Sequence, residues 1–119
     1  MERKKILIVE DSEVIQLLVQ TILEEKDYEF FVSNDGKEAL DFLEKQTPDL
    51  IILDLMMPVM DGFKFLEELH EPNCPILVLT ARSDVESIRR VMASGASDYL
   101  VKPFISINLI NKIEQLIGK

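Results

Sequence analysis

A short apolar run followed by a segment of helical period recurs five times along the chain. The apolar runs are Lys4–Glu10, Tyr28–Asn34, Leu50–Leu55, Pro75–Thr80 and Asp98–Lys102. Strands with one solvent face alternate polar and apolar side chains, whereas strands buried on both faces are continuously apolar. Because strands of the second kind alternate here with helices, the sequence predicts an α/β fold, a parallel sheet with helices on both faces.

The five intervening segments predict helices from their apolar spacing and end signals. The predicted N-terminal signals are Ser12, the turns Asp35-Gly36 and Asp61-Gly62, the capping box Ser83–Glu86 and Ser106, and Gly95 is a predicted stop. The predicted inward residues are Ile15, Leu18, Val19, Ile22 and Leu23; Ala39, Leu40 and Leu43; Phe63, Leu66 and Leu69; Val85, Ile88 and Met92; and Leu109, Ile110, Ile113, Leu116 and Ile117.

Composition excludes several classes of protein. The 119 residues, 47% hydrophobic and 29% charged, fit one globular domain over residues 1–119. No apolar stretch approaches the roughly 20 residues that a spanning helix needs, so we expect no membrane partner. Cys74 is the only cysteine, which favours a reducing, cytoplasmic setting and a role as a small core side chain. The net charge of −9 argues against direct binding of nucleic acid but not of a cation.

Polar residues at the strand ends form the second informative pattern. They are Glu10 and Asp11, Asp54, Thr80 and Lys102. Each alone has an ordinary explanation, such as a helix cap or a charge where a strand meets water. In a parallel sheet, however, all strands end at one edge, where ligands bind. We therefore expect these side chains to form one site.

The chemistry of this set points to phosphoryl transfer. Clustered carboxylates repel one another unless a cation is present, and Mg²⁺ prefers such hard oxygen ligands. With a metal ion and Lys102 nearby, the Asp54 carboxylate can attack phosphorus. The Lys102 ammonium and the Thr80 hydroxyl can stabilise the transferring oxygens.

The segments VEDS, DLMMPVMDG, LTA and GASDYLVKP, with the spacing between them, resemble the receiver domain of bacterial two-component response regulators. The resemblance runs from Lys4 to about Ile117. It implies a doubly wound, flavodoxin-like sheet in the order 2-1-3-4-5, an order that the strand–helix count leaves open.

The resemblance also implies roles for individual residues. Asp54 corresponds to the phosphoacceptor. Asp11, with Glu10 acting through water, corresponds to the acidic pair that binds Mg²⁺, and the backbone carbonyl of Met56 to a further metal ligand. Pro58 and Gly62 are expected to shape the loop over the site.

Four further positions match the switch of this family. Thr80 corresponds to the hydroxyl that follows the phosphoryl group, and Lys102 to the lysine that pairs with it. Tyr99 corresponds to the aromatic residue that turns inward on activation, although aromatic residues in strands are usually core. The Lys102–Pro103 peptide bond corresponds to one that is cis in the family.

The resemblance implies a signalling switch that catalyses only its own phosphorylation and dephosphorylation. The donor would be a sensor histidine kinase or a phosphotransfer protein. The output face would be the fourth helix, fifth strand and fifth helix, about Asp84 to Ile117, which carries enough charge for a homodimer. Because neither Met56 nor Arg82 positions water well, we expect the phosphorylated form to last minutes to hours.

Two other functions would use parts of the same residue pattern. A Mg²⁺-dependent phosphatase with an aspartyl-phosphate intermediate usually needs a second Asp two residues after its nucleophile, where this chain has Met56. A pure interaction module with a degenerate site would not need the full set of Asp11, Asp54, Thr80 and Lys102.

Overall fold

The predicted α/β architecture is confirmed. A computed structural model describes residues 3–56, 60–69 and 73–118, and within them five parallel strands form one sheet in the order β2-β1-β3-β4-β5. The strands are β1 Lys5–Val9, β2 Glu29–Ser33, β3 Leu50–Asp54, β4 Ile76–Thr80 and β5 Asp98–Val101. The helices are α1 Glu13–Glu25, α2 Gly36–Lys45, α3 Gly62–Leu69, α4 Val85–Ala93 and α5 Ser106–Ile117.

The strand order reverses at β1, which pairs with β2 on one side and with β3 on the other. Val9 lies opposite Ser33 of β2 and opposite Leu53 of β3. The connections that leave β1 and β3 therefore diverge in opposite directions. A crevice opens between the carboxyl ends of β1 and β3, which is where open α/β sheets bind their ligands.

The sheet is apolar on both faces, as the continuous apolar runs predicted. Ile6 and Ile8 of β1 belong to the core layer under α1 and α5. Leu7 and Val9 alternate with them and belong to the opposite layer, under α2, α3 and α4. Cys74 is half-buried against that second layer. Among the described residues, no helix is long and apolar enough to cross a membrane.

Two predicted helix caps are wrong. Ser12 does cap α1, since its hydroxyl accepts from the Ile15 amide. The capping box at Ser83 does not form: Asp84 is the N-cap of α4, and its carboxylate accepts from the Ser87 amide at 3.0 Å. Asp84, rather than Ser83, caps α4 because its backbone is extended and its negative charge is stabilised at the helix N-terminus. Ser106 is the first residue of α5 and caps nothing.

The predicted inward face of α4 is also wrong. Val91 is its buried residue, Ile88 is half-buried, and Val85 and Met92 are exposed. In a short helix, apolar side chains lie on both flanks of the inner face, so spacing alone leaves the rotation of the helix undetermined. Contact with the sheet decides it.

Smaller errors of the same kind occur in α1 and α3. Leu18 of α1 is exposed. In α3, Leu66 is buried as predicted, Phe63 and Leu69 are only half-buried, and the fully buried ring is that of Phe65. The face of α3 that contacts the sheet therefore contains Phe65 and Leu66, whereas the spacing predicted a face of Phe63, Leu66 and Leu69.

Candidate functional site

Two carboxylates are buried at the crevice between β1 and β3. Asp54 ends β3 and is 4% exposed, and Glu10 directly follows β1 and is 1% exposed. β3 lies between β1 and β4 in the sheet, so the Asp54 backbone is fixed from both sides. Burial of an unpaired charge costs several kcal/mol, so two buried carboxylates require cationic partners.

Lys102 is the cationic partner within the chain. Its Nζ lies 3.0 Å from Asp54 Oδ1 and 3.2 Å from Glu10 Oε1. It follows β5, and its backbone amide donates to the Thr80 carbonyl at 2.7 Å. The side chain thus reaches past the end of β4 to the two carboxylates. Its peptide bond to Pro103 is cis.

The charges of this group shift one another's pKa values. Burial, followed by the hydrogen bond and the negative charge of Asp54, raises the pKa of Glu10 to about 7, against the opposing effect of Lys102. For Lys102, burial alone would lower the pKa, but the hydrogen bonds and charges of Asp54 and Glu10 outweigh burial and raise it. Two carboxylates therefore share a single ammonium in this group.

A metal ion fits the same acids. Glu10, Asp11 and Asp54 each offer a carboxylate oxygen, and these oxygens lie within 4.8 Å of one another. Asp11 is exposed, which leaves a side open to water. Three hard oxygen ligands with an open side suit Mg²⁺, which retains several waters. The Met56 amide lies 3.4 Å from Asp54 Oδ1, and the Met56 side chain is 72% exposed.

Thr80 and Tyr99, the predicted switch residues, lie on neighbouring strands. The buried Thr80 hydroxyl accepts from the Arg82 amide at 3.0 Å, so it is held by its own loop. The Tyr99 ring is half-buried, and Lys112 Nζ lies 5.5 Å from its centroid. The same Nζ pairs with Asp98 at 2.9 Å.

Gly62 is required by a close approach beneath the site. A Cβ at this position would lie 2.7 Å from the Leu55 Cα, and the Gly62 amide donates to the Leu55 carbonyl at 2.8 Å. Because Leu55 follows Asp54 directly, this contact fixes the loop behind the carboxylate. Pro58, the other residue predicted to shape the loop, lies outside the described residues.

Sequence reasoning missed Gln16. It is buried, and its Nε2 donates to the Glu10 carbonyl and, at 2.8 Å, to Asn34 Oδ1. This side chain ties the loop after β1 to the loop after β2. Its position in the sequence could have indicated this role. Gln16 lies three residues before Val19, which places its side-chain amide on the inner face of α1.

A cavity of about 580 Å³ adjoins the acidic cluster. It is lined at the site by Asp11, Met56 and Thr80, and beyond it by Phe63 of α3 and Arg90 of α4. The Arg90 guanidinium lies 3.8 Å from the centroid of the Phe63 ring. Neither residue was predicted from the sequence to belong to the site.

A 2-1-3-4-5 sheet with buried Asp54, an acidic partner and a lysine at its switch point defines a class of doubly wound signalling domains. Residues 6–114 match the family described as the response regulator receiver domain, and the chain belongs to this family. The resemblance stated from the sequence is thereby confirmed. The chain is a receiver domain of the two-component type, which is a signalling domain.

Curated relatives place the chain among regulators that are longer than itself. It is 38% identical over 120 residues to "Probable transcriptional regulator ycf27" of Porphyridium aerugineum, covering 100% of this chain and 50% of that protein. It is 42% identical over 103 residues to the alkaline phosphatase synthesis transcriptional regulatory protein PhoP of Bacillus subtilis, covering 85% and 43%. The chain spans about half the length of these relatives.

Solved structures agree in fold. The chemotaxis response regulator CheY4 of Vibrio cholerae has a TM-score of 0.90 at 35% identity, covering 97% of this chain and 99% of that one. The receiver domain of the sensor histidine kinase PA1611 from Pseudomonas aeruginosa, described with magnesium coordinated in its active site cleft, has a TM-score of 0.89 at 30% identity. That match covers 99% of this chain and 100% of the other.

Proposed function

We propose that this receiver domain accepts a phosphoryl group onto Asp54 from a sensor histidine kinase or a phosphotransfer protein. The main observation that supports this proposal is that the buried Asp54 carboxylate lies 3.0 Å from the Lys102 ammonium. In the transfer, an Asp54 oxygen forms a bond to phosphorus as the bond from phosphorus to the donor histidine nitrogen breaks. The imidazole keeps the electron pair, and Lys102 stays beside the phosphoryl oxygens as their counter-charge.

Mg²⁺ is the cofactor that we assign to the acidic cluster. Asp11 and Asp54 would bind it directly, Glu10 would act through water, and Met56 would offer its backbone carbonyl. Bound Mg²⁺ would supply positive charge beside the transferring oxygens, and their charge is the main obstacle to the reaction. The magnesium described in the cleft of the Pseudomonas receiver domain supports this assignment.

The switch that we propose passes from Thr80 to Tyr99. A phosphoryl group adds about −1.5 to −2 charge and three strong acceptor oxygens. The Thr80 hydroxyl would leave its bond to the Arg82 amide and donate to one of these oxygens. The Tyr99 ring on the neighbouring strand would then turn inward, and the surface of α4, β5 and α5 would change.

The partner kinase needs a surface around Asp54. Exposed apolar side chains occupy the first turns of α1, which begins two residues after Asp11: they are Val14, Leu17 and Leu18. Ile105 and Ile107, which follow Lys102 closely, are exposed too. We propose that these two segments contact the partner while its phosphohistidine reaches Asp54.

The output that we propose is regulation of transcription by a longer protein, because the relatives named above are transcriptional regulators twice as long. The −9 charge argues that this domain acts through protein contacts rather than on DNA itself. A homodimer through α4, β5 and α5 is compatible with this role. The single cysteine of the chain, Cys74, favours a cytoplasmic setting.

The lifetime of the phosphorylated form depends on Met56 and Arg82. The Met56 side chain has no hydrogen-bonding group for an attacking water, and Arg82 pairs with Asp84 at 3.4 Å. We therefore propose loss of the phosphoryl group over minutes to hours. A half-life of seconds in purified protein with Mg²⁺ would contradict this. Met56 likewise disfavours the phosphatase alternative, because it offers no general acid.

Intact mass tests the proposed function. The protein is incubated with acetyl phosphate, with Mg²⁺ or with EDTA, as wild type and as Asp54→Asn. We expect a gain of one phosphoryl group that requires both Mg²⁺ and Asp54. An equal gain in Asp54→Asn would overturn the site, and an equal gain in EDTA would overturn the metal requirement. No gain in the wild type, together with no binding of Mg²⁺, would favour the degenerate interaction module.

A further inference from the structure

The cavity beside Asp54 extends beyond the groups that phosphoryl transfer requires. We call it the α3–α4 cavity, the space lined by Asp11, Met56 and Thr80 at the site and by Phe63 and Arg90 beyond it. Its volume of about 580 Å³ exceeds the needs of a phosphoryl group and one metal ion. The proposed transfer assigns no part to Phe63 or Arg90.

Arg90 packs against an aromatic ring. Its guanidinium lies 3.8 Å from the Phe63 centroid, a geometry in which the ring face attracts the cation. Among the described residues, no carboxylate forms an ion pair with Arg90. Within residues 3–56, 60–69 and 73–118, therefore, no acid offsets the Arg90 charge, and this charge can attract an anion that enters the cavity. Arg82 also lines the cavity but is paired with Asp84.

In-line attack by Asp54 determines where the leaving group of a phosphodonor is expected. In-line displacement places the leaving group opposite the attacking oxygen. Asp54 attacks from the buried end of β3, so the leaving group points away from the sheet. Asp11, Met56 and Thr80 border both the site and the α3–α4 cavity, so the cavity opens directly from the site.

Two acids also line the cavity. Asp11 belongs to the cluster that suits a metal ion, which would offset its charge. The Asp61 carboxylate already accepts from the Lys64 amide at 2.9 Å. The far part, with the apolar ring of Phe63 and the cation of Arg90, therefore suits a group that is apolar and becomes anionic.

We propose that the α3–α4 cavity receives the leaving group of small phosphodonors and favours acyl phosphates with an apolar acyl group. The inference rests on the phosphoryl acceptance by Asp54 proposed above. An Asp54 oxygen forms the bond to phosphorus, and the bond from phosphorus to the acyl oxygen breaks. The carboxylate product keeps the electron pair, and no proton is transferred. Phe63 contacts the acyl body, and Arg90 stabilises the carboxylate as its charge develops.

Three phosphodonors with different leaving groups can distinguish contact of Phe63 and Arg90 with the leaving group from a general effect on the reactivity of Asp54. Benzoyl phosphate releases an apolar carboxylate, acetyl phosphate a small carboxylate, and phosphoramidate ammonia, which carries no negative charge. Initial rates of phosphoryl gain are measured by intact mass for the wild type, Arg90→Met, Phe63→Leu and Arg89→Met. Arg89 is a matched control: it is exposed on the same helix, carries the same charge and is not among the residues that line the cavity as described.

We expect the wild type to react faster with benzoyl phosphate than with acetyl phosphate. Arg90→Met should slow both acyl phosphates about two- to fivefold, the scale of a partly exposed ion pair, and leave phosphoramidate unchanged. Phe63→Leu should reduce the preference for benzoyl over acetyl phosphate. Arg89→Met should change none of the three rates.

Three outcomes would overturn the proposal. In one, Arg90→Met slows all three donors equally, which indicates damage to the site itself. In another, Arg89→Met matches Arg90→Met, which indicates a long-range effect of net charge. In the third, the wild type shows no preference for the apolar acyl group. Failure of the wild type with every donor would instead refute the phosphoacceptor function, and this inference would fall with it.

Discussion

Asp54 ends β3 and Lys102 directly follows β5, strands that are not neighbours in the sheet, yet Lys102 Nζ lies 3.0 Å from Asp54 Oδ1. The strand β4 separates them, and the lysine reaches past its end. The Lys102 side chain is 21% exposed and that of Asp54 is 6% exposed, so water screens the pair only weakly. Through this contact and a second one to Glu10, Lys102 is the counter-charge of the unphosphorylated site. It is also the residue that we propose to pair with the phosphoryl group.

Replacement of Lys102 by methionine should therefore destabilise the metal-free protein. Two buried carboxylates would lose their cation, and we expect a loss of about 1–3 kcal/mol in the free energy of unfolding, measured in urea with EDTA. Lys112→Met is the matched control, since it breaks a single, more exposed pair with Asp98 and should cost less than about 1 kcal/mol. Equal costs would show that burial of the Lys102 contacts contributes nothing.

Asp11→Asn should weaken Mg²⁺ binding without weakening the fold. Asp11 is exposed and contributes one of the three clustered carboxylate oxygens. Loss of a charged ligand should raise the Kd for Mg²⁺ at least about tenfold, measured by calorimetry. Glu13→Gln removes an exposed carboxylate two residues away, outside the cluster, and should leave the Kd within about twofold. Similar shifts in both variants would mean that only overall charge attracts the ion.

Thr80→Ala should separate phosphorylation from the switch. The variant keeps Asp54 and Lys102, so acetyl phosphate should still label it. The Tyr99 ring signals in NMR spectra should then shift on phosphorylation of the wild type and of Thr80→Ser, but not of Thr80→Ala. Tyr28 is the other tyrosine, buried in the core layer under α1 and α5, and serves as an internal reference. A Tyr99 shift in Thr80→Ala equal to that of the wild type would refute the coupling.

Gly62→Ala should destabilise the protein by about 1–3 kcal/mol, because the new methyl group would lie 2.7 Å from the Leu55 backbone. Gly36→Ala is a suitable comparison. There the nearest atoms are the Met60 sulfur at 3.0 Å and the Met60 Cβ and Cγ at 3.1 Å, which are side-chain contacts and less tight than the backbone contact at Gly62. Urea midpoints should fall further for Gly62→Ala than for Gly36→Ala. The reverse order would contradict the close approach beneath Asp54.

Cys74 should react slowly with thiol reagents at pH 8. Burial, and then the negative charge of Asp49, raises its pKa from 9.0 to about 11. Only the thiolate reacts, so labelling by iodoacetamide should be about a hundredfold slower than in the urea-unfolded chain. The rate should rise about tenfold per pH unit as the thiolate forms. Equal rates in the folded and unfolded protein would show an unshifted thiol.

The same shift affects stability at alkaline pH. Because the folded-state pKa of Cys74 lies above the unfolded value, its contribution to stability is complete below pH 9 and is lost as the pH rises through about 11. Cys74→Ser should reduce this part of the alkaline loss.

Much of the architecture follows from local sequence. The five apolar runs correspond to the five strands to within one residue at each end, because β-strands buried on both faces need continuous apolar side chains. The residues at their ends were predictable as one site for the same reason: parallel strands all end at one edge. Glu10, Asp11, Asp54 and Lys102 accordingly meet there.

Tertiary packing decided what periodicity leaves open. The rotation of α4, with Val91 rather than Val85 and Met92 inward, depends on which side of a short amphipathic helix meets the sheet. The Gln16 bridge and the stacking of Arg90 on Phe63 join residues that are distant in sequence and have no motif of their own. Local sequence determines strands, helices and the edge at which polar residues gather. The contacts between side chains depend on how each helix is rotated and packed against the sheet, and only the tertiary structure determines this packing.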